Sequence, residues 1–178
     1  MPASSCSDGL AARGFAAQSG AMRPALLLLM LLLLAGPAWA QYWTHYANAR
    51  FGYEIDVPPG FEGGGESANG DGQMFYNLEG AQGVTVWGGY FSDSFEQEAA
   101  AALAAVSTEN WAISAQSSTP YWAAFAAQRD HRIIQQRMIA LCDGASYAAF
   151  RAEYNIAELS RMEPVIDGLV RSFQPLNC

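Results

Sequence analysis

From residue 51 onward the chain spells out its elements through the spacing of apolar positions. In Phe51-Gly52-Tyr53-Glu54-Ile55-Asp56-Val57 every second residue is apolar or aromatic, the period of a strand with one buried face, and Pro58-Pro59-Gly60 ends it. The Gly-rich residues 63–72 read as a crossing to a second strand at 73–78, and residues 84–91 (Val-Thr-Val-Trp-Gly-Gly-Tyr-Phe) form a third. At Ser94 the period changes. Phe95, Ala99, Ala102, Leu103 and Val106 recur near 3.6, Ser94-x-x-Gln97 fits a capping box, and Glu96 and Glu98 fall at the positive end of the helix dipole. Strands then return at residues 111–115 and, after the turn-forming Ser117-Ser118-Thr119-Pro120, at 121–129. Residues 131–142 and 145–154 flank Asp143-Gly144, a dipeptide suited to a two-residue hairpin turn. A closing helix over 160–173 carries the apolar stripe Val165, Ile166, Leu169, Val170 and Phe173, with Ser160-x-x-Glu163 as a second capping box. Pro164 suits only the beginning of a helix, so the start lies at Ser160 or a few residues later. The expected class is α+β: an antiparallel sheet of about six to seven strands with helices packed on it.

The N-terminal pattern is of another kind. Residues 25–35 form an eleven-residue apolar core preceded by Met22-Arg23, followed by Gly36-Pro37 and the small-x-small sequence Ala38-Trp39-Ala40. A bilayer span needs roughly 20 apolar residues, whereas a secretory signal core needs only about 7 to 15. Residues 22–40 therefore read as a signal peptide cleaved between Ala40 and Gln41, the alternative being an uncleaved anchor helix. No cysteine follows the core directly, which excludes lipoprotein processing. Residues 1–21 precede a complete signal and read as a mis-assigned N-terminal extension, with Cys6 outside the mature protein. Residues 41–178 are the length of one globular domain, placed in the periplasm or outside the cell with no membrane span after cleavage.

Charge narrows the partners. Residues 41–178 hold seven Arg, no Lys and sixteen Asp plus Glu, a formal charge of −9. Nucleic acid and anionic lipid surfaces call for clustered positive charge, so neither is expected. No basic residue lies between Arg50 and Arg129, where ten acidic residues fall; a solvated face is the reading of that stretch.

An exported chain permits disulfides, and Cys142 and Cys178 are an even pair with one connectivity. The loop-entropy estimate for that bridge is about 4 kcal/mol. His45 and His131 are the only histidines, and neither a G-x-S-x-G nor an H-E-x-x-H sequence is present. No catalytic residue, metal ligand or cofactor is assigned, and His131 reads as an exposed turn residue. Ser67-Ala68-Asn69-Gly70-Asp71-Gly72 resembles half of a calcium loop, but position one is Ser67 and position twelve is Leu78. A β-turn explains the same residues. The aromatic residues Tyr42, Trp43, Tyr46, Trp87, Tyr90, Trp111, Tyr121 and Trp122 read mainly as core. Adjacent Tyr121 and Trp122 must point to opposite faces of a strand, and a groove lined by several rings would suit an apolar ligand.

The segment Tyr46-x-Asn48-x-Arg50-Phe51-Gly52-Tyr53-x-Ile55-Asp56-Val57-Pro58-Pro59-Gly60-Phe61, with Asn69-Gly70-Asp71-Gly72-Gln73 and the closing Ser172-Phe173, resembles small uncharacterised exported proteins of Gram-negative bacteria. It is also similar to the PsbP-like fold shared by the photosystem II extrinsic protein and a Ran-binding nuclear import factor. The resemblance implies an α/β sandwich with a non-catalytic accessory or binding role, its protein or small-molecule ligand in the cell envelope unspecified. The competing expectation is a small exported hydrolase acting on envelope material.

Overall fold

Alternation in residues 53–57 builds one strand of a small sheet, and the longer strands that follow build a large one. The computed structural model describes residues 42–77, 79, 81–176 and 178. The extension 1–21, the signal segment 22–40 with its Ala40/Gln41 cleavage point, and Leu78 lie outside the described residues. The elements are β1 Thr44–Asn48, β2 Tyr53–Val57, β3 Glu62–Glu66, β4 Gly72–Asn77, β5 Gln82–Tyr90, α1 Phe95–Thr108, β6 Ala112–Ser118, β7 Trp122–Arg129, β8 Arg132–Ala140 and β9 Ser146–Asn155. A 3₁₀ turn at Ile156–Glu158, helix α2 at Leu159–Ser172 and the short β10 at Gln174–Pro175 complete the order.

The large sheet has the order β3-β4-β5-β9-β8-β7-β6, with every neighbouring pair antiparallel, and β1-β2-β10 form the small one. The α+β class and the antiparallel sheet of seven strands stand as expected, with helices on both faces. On one face, Val84 and Val86 of β5 and Ala148, Phe150, Ala152 and Tyr154 of β9 pack against Tyr53, Ile55 and Val57 of β2 and Met162, Ile166 and Leu169 of α2. On the other, Met138, Ala149 and Ala123 meet Phe95 and Ala99 of α1. Val106 of the same helix meets Trp111, Phe125, Ala127 and Ile134. Strand β9 sits mid-sheet and is buried on both faces, which is why Ala148 and Ala149 are consecutive and fully enclosed.

Several boundaries differ from the sequence reading. The glycines at 63–65 do not cross open space but form the edge strand β3, paired to β4 through Glu62↔Tyr76 and Gly63↔Phe75. Without side chains they leave no period to read. Strand β1 carries no apolar alternation to read, since only Asn48 of its five residues is buried, and it is held by pairing with β2. Ser117 and Ser118 belong to β6 rather than to a turn; the turn is made at Thr119, whose N–H donates to the Trp122 carbonyl at 2.7 Å.

The Asp143-Gly144 hairpin exists, but its turn is not the two-residue kind. The Leu141 N–H donates to the Ser146 carbonyl, leaving Cys142 to Ala145 as a four-residue connection. Only Gly144 takes positive φ, at 68°. Asp143 instead accepts from the Ala145 and Ser146 amides and the Ser146 hydroxyl, at 3.0, 2.9 and 2.7 Å. A two-residue connection occurs at Asp130-His131, closed by the Arg129↔Arg132 pair.

Helix α1 starts as expected, the Gln97 N–H donating to Ser94 Oγ at 3.3 Å. Helix α2 does not use its proposed box: it begins at Leu159 with no side-chain cap and runs through Pro164. The chain enters it through the 3₁₀ turn, whose Ala157 N–H is capped by Asn155 Oδ1. Its buried stripe is Met162, Ile166, Gly168 and Leu169, while Val170 is exposed. Gly168 is required by contact, since a Cβ there would run into the Trp43 ring.

Candidate functional site

Helix α2 leans on β2 and β9 and leaves the same face of β6, β7 and β8 uncovered. Strand alternation decides what faces that opening. In register across the sheet, Phe150 of β9 stands opposite Arg137 of β8, which stands opposite Ala124 of β7, which stands opposite Ser117 of β6. Two residues along, Gln135 stands opposite Ala126, which stands opposite Ala115. Three alanines and a serine give the sheet a low floor, and Ile166 and Val170 of α2 rise as one wall. The result is a groove of about 260 Å³. Val170 is unburied because its side chain borders this groove instead of the core.

Among the described residues Arg137 is the only charged side chain lining the groove. Its guanidinium carbon lies 4.7 Å from the centroid of the Trp122 ring. Its Nε is buried and has no hydrogen-bond partner among the described residues. Burial holds its pKa below the ordinary arginine range, but a guanidinium stays charged at neutral pH. Beside it, the Gln135 side-chain amide donates to the Tyr154 hydroxyl at 2.7 Å, a bond made within the protein.

The sequence-predicted residues are dispersed. Cys142 and Cys178 are joined as a disulfide with Cα atoms 5.6 Å apart, tying the β8–β9 connection to the segment after β10. His45, on β1, has its ring nitrogens 3.4 Å from Glu54 and 3.2 Å from Asp56, both on β2. His131 is exposed in the β7–β8 turn. Among the described residues no hydroxyl or thiol stands in hydrogen-bond contact with either imidazole, so no nucleophile–base pair is assembled there.

The Ser67–Gly72 loop is a turn between β3 and β4 with its own polar network. Ser67 Oγ donates to Asp71 Oδ1 at 2.5 Å and the Asn69 amide donates to Oδ2 at 2.7 Å; these bonds hold the Asp71 carboxyl below the usual carboxylate range. Asn48 donates to the Gly70 carbonyl and to Glu66, and Arg50 donates to the Asn69 carbonyl. Tyr46 donates to Glu66 at 3.0 Å. The loop is thereby tied to β1 and to the turn after it. Among the described residues no group of three or more His, Cys, Asp or Glu is placed to hold a metal ion.

Of the singled-out aromatic residues, only Trp122 stands against the groove's cation. Tyr121, one residue before β7, is exposed. Trp111 is buried under Arg129, Tyr46 packs on Tyr53 and Phe75, and Tyr90 packs on Phe51. Arg137 itself escaped the sequence reading. The available signal was alternation in β8, where Ile133 and Ile139 bracket Gln135 and Arg137 on one face, opposite a β7 face reduced to alanine.

No family model and no curated protein matches the chain. Solved structures do match. Cyanobacterial PsbP (CyanoP) from Synechocystis sp. PCC 6803 is similar with a TM-score of 0.59 at 12% identity, over 79% of this chain and 96% of that one. The Ran-binding protein Mog1p of Saccharomyces cerevisiae gives 0.57 at 10% identity, over 78% and 97%. A Mog1 variant gives 0.57 at 10%, over 76% and 97%. The chain therefore has the PsbP/Mog1-like fold. Among the described residues no helix is long and apolar enough to cross a membrane.

Proposed function

We propose that the chain is an exported, non-enzymatic binding or accessory protein of the periplasm or extracellular space, working through the groove between α2 and strands β6–β8. The observation that carries this reading is the groove itself: a concave, largely apolar surface with one charged side chain among its described lining residues, Arg137, whose Nε has no hydrogen-bond partner among the described residues. Concave, mostly apolar sites with a few placed polar groups are the usual form of ligand pockets. The Ran-binding neighbour, Mog1p, is a precedent for a binding role on this fold. The signal-like residues 22–40 and the Cys142–Cys178 bridge support export.

The test is intact-mass analysis of the protein recovered from the periplasm of an expressing bacterium, under native and denaturing conditions. The expected species begins at Gln41, is two hydrogens lighter than the dithiol, and carries a non-covalent adduct that Val170→Glu abolishes. A product retaining Leu26 to Leu34 would overturn the export reading. Adduct-free protein that also binds nothing in an envelope extract would overturn the binding role.

A further inference from the structure

We propose that the groove takes an anionic amphiphile, a carboxylate with an unbranched apolar tail, whose head pairs with Arg137 and whose tail lies over Ala124, Ala126 and Ala115 against Val170. The inference rests on the binding role above and names the chemistry of its ligand.

Charge complementarity carries it. Arg137 is half-buried with its Nε enclosed, and a charge partly withdrawn from water without a counter-ion favours an anionic partner. Among the described residues Arg137 has neither an ion-pair nor a hydrogen-bond partner, and no acidic side chain lines the groove. The domain as a whole is strongly acidic, so this cation is a local feature set against the general field. The Trp122 ring lies 4.7 Å from the guanidinium carbon, and the terminal Nη groups, with no ion pair among the described residues, are what an acceptor in the groove would meet. A carboxylate is that acceptor, matching the fork of the guanidinium in shape and charge.

The rest of the groove selects the tail. Its floor is three alanines and Ser117, its wall is Ile166 and Val170, and the Gln135 amide is already engaged by Tyr154. Taking a methylene group as about the size of a water molecule, which occupies about 30 Å³ in the liquid, a groove of about 260 Å³ has room for roughly eight such groups. A second copy of the chain is the poorer occupant. The adjoining edge strand β6, Ala-Ile-Ser-Ala-Gln-Ser-Ser, would meet its own uncharged counterpart and bring no carboxylate to Arg137.

The experiment is calorimetric titration of the purified protein with octanoate, octan-1-ol and octylammonium, the site being located by the shift of the Trp122 indole resonance. A charge-assisted hydrogen bond corresponds to about a tenfold preference or more, so octanoate is expected to bind at least about tenfold more tightly than octan-1-ol, and octylammonium least. Arg137→Met should bring octanoate down to the level of octan-1-ol while leaving the affinity for the alcohol unchanged and the melting temperature no lower. Equal affinity for acid and alcohol in the wild type, or a preference that persists in Arg137→Met, overturns the proposal and leaves the binding role standing. Failure of all three to bind overturns the amphiphile proposal alone, the binding role being decided separately by the adduct and envelope-extract test. A dimer that octanoate dissociates would place a second copy in the groove and also overturn it.

Discussion

The guanidinium of Arg137 rests on the face of Trp122, its carbon 4.7 Å from the ring centroid, while its Nε is buried without a hydrogen bond among the described residues. A cation–π contact contributes about 0.5–2 kcal/mol, and an unsatisfied buried donor costs about 1–3 kcal/mol. The two roughly cancel, so Arg137 adds little to the fold that carries it. Arg137→Met keeps an unbranched stem on the indole and removes the buried donor. Urea unfolding should give a stability unchanged or raised by up to about 1 kcal/mol, whereas Trp122→Ala should lower it by about 2–3 kcal/mol. A loss above about 1.5 kcal/mol in Arg137→Met would mean that the guanidinium is paired within the protein in solution.

The Cys142–Cys178 bridge closes a loop across 36 positions. Chain entropy alone then predicts about 4 kcal/mol of stabilisation. The double serine variant should unfold at correspondingly lower urea, and dithiothreitol should lower the midpoint of the wild type but not of the variant. Identical midpoints with and without reductant in the wild type would mean that the cysteines are not joined.

Gly72 is pressed against β5: a Cβ there would meet the Val86 carbonyl and lie 2.7 Å from Trp87 Cα. Both are backbone and cannot step aside. Gly72→Ala should therefore cost about 2–3 kcal/mol, read as a drop in melting temperature. At Gly63 the nearest obstacle is the end of the Gln73 side chain, which can rotate away, so Gly63→Ala should cost less than about 1 kcal/mol. Equal losses would place the strain elsewhere.

Asp143 has a lowered pKa, first through the Ser146 hydroxyl and then through the Ala145 and Ser146 amides. Because the folded pKa lies below the unfolded value of about 3.9, its contribution is present above that value and is lost as pH falls through the folded one. Stability should decline below about pH 4 with a steeper slope in the wild type than in Asp143→Asn. Superimposable acid profiles would show that the carboxylate bonds do not form.

Both carboxylate oxygens of Asp71 are engaged by Ser67 and Asn69. Calcium would have to displace those bonds and find ligands the loop does not offer. The melting temperature should accordingly be the same in about 1 mM calcium, a weak extracellular site's working range, as in chelator. A rise of several degrees would restore the calcium reading of residues 67–72.

Elements whose side chains alternate or recur on one face could be read directly: Tyr53, Ile55 and Val57 gave β2, and Ser94 with Phe95, Ala99 and Val106 gave α1. Glu62-Gly-Gly-Gly-Glu66 could not be read, because glycines carry no side-chain period and β3 owes its shape to β4. The hairpin was visible at Asp143-Gly144 while its turn was not, since one dipeptide serves several turn geometries and the Asp143 side chain, by capping the two amides that follow, chose another. Val170 fitted the helical stripe yet lies outside the core, because the strands it faces end in alanine. The groove and Arg137 arise from three strands and a helix brought side by side, a juxtaposition that no local spacing encodes.

The ring of Trp43 sits where a side chain at 168 would collide with it, so the residue just before β1 is keyed to α2. A polypeptide that is made, or threaded through a translocation pore, from its N-terminus cannot seat this ring until some 125 further residues have emerged. Synthesis at about 5–20 residues per second makes that a wait of many seconds, during which β1 has β2 to pair with but the Trp43 ring has no α2 to pack on. Completion of the fold is thus timed by arrival of the tail.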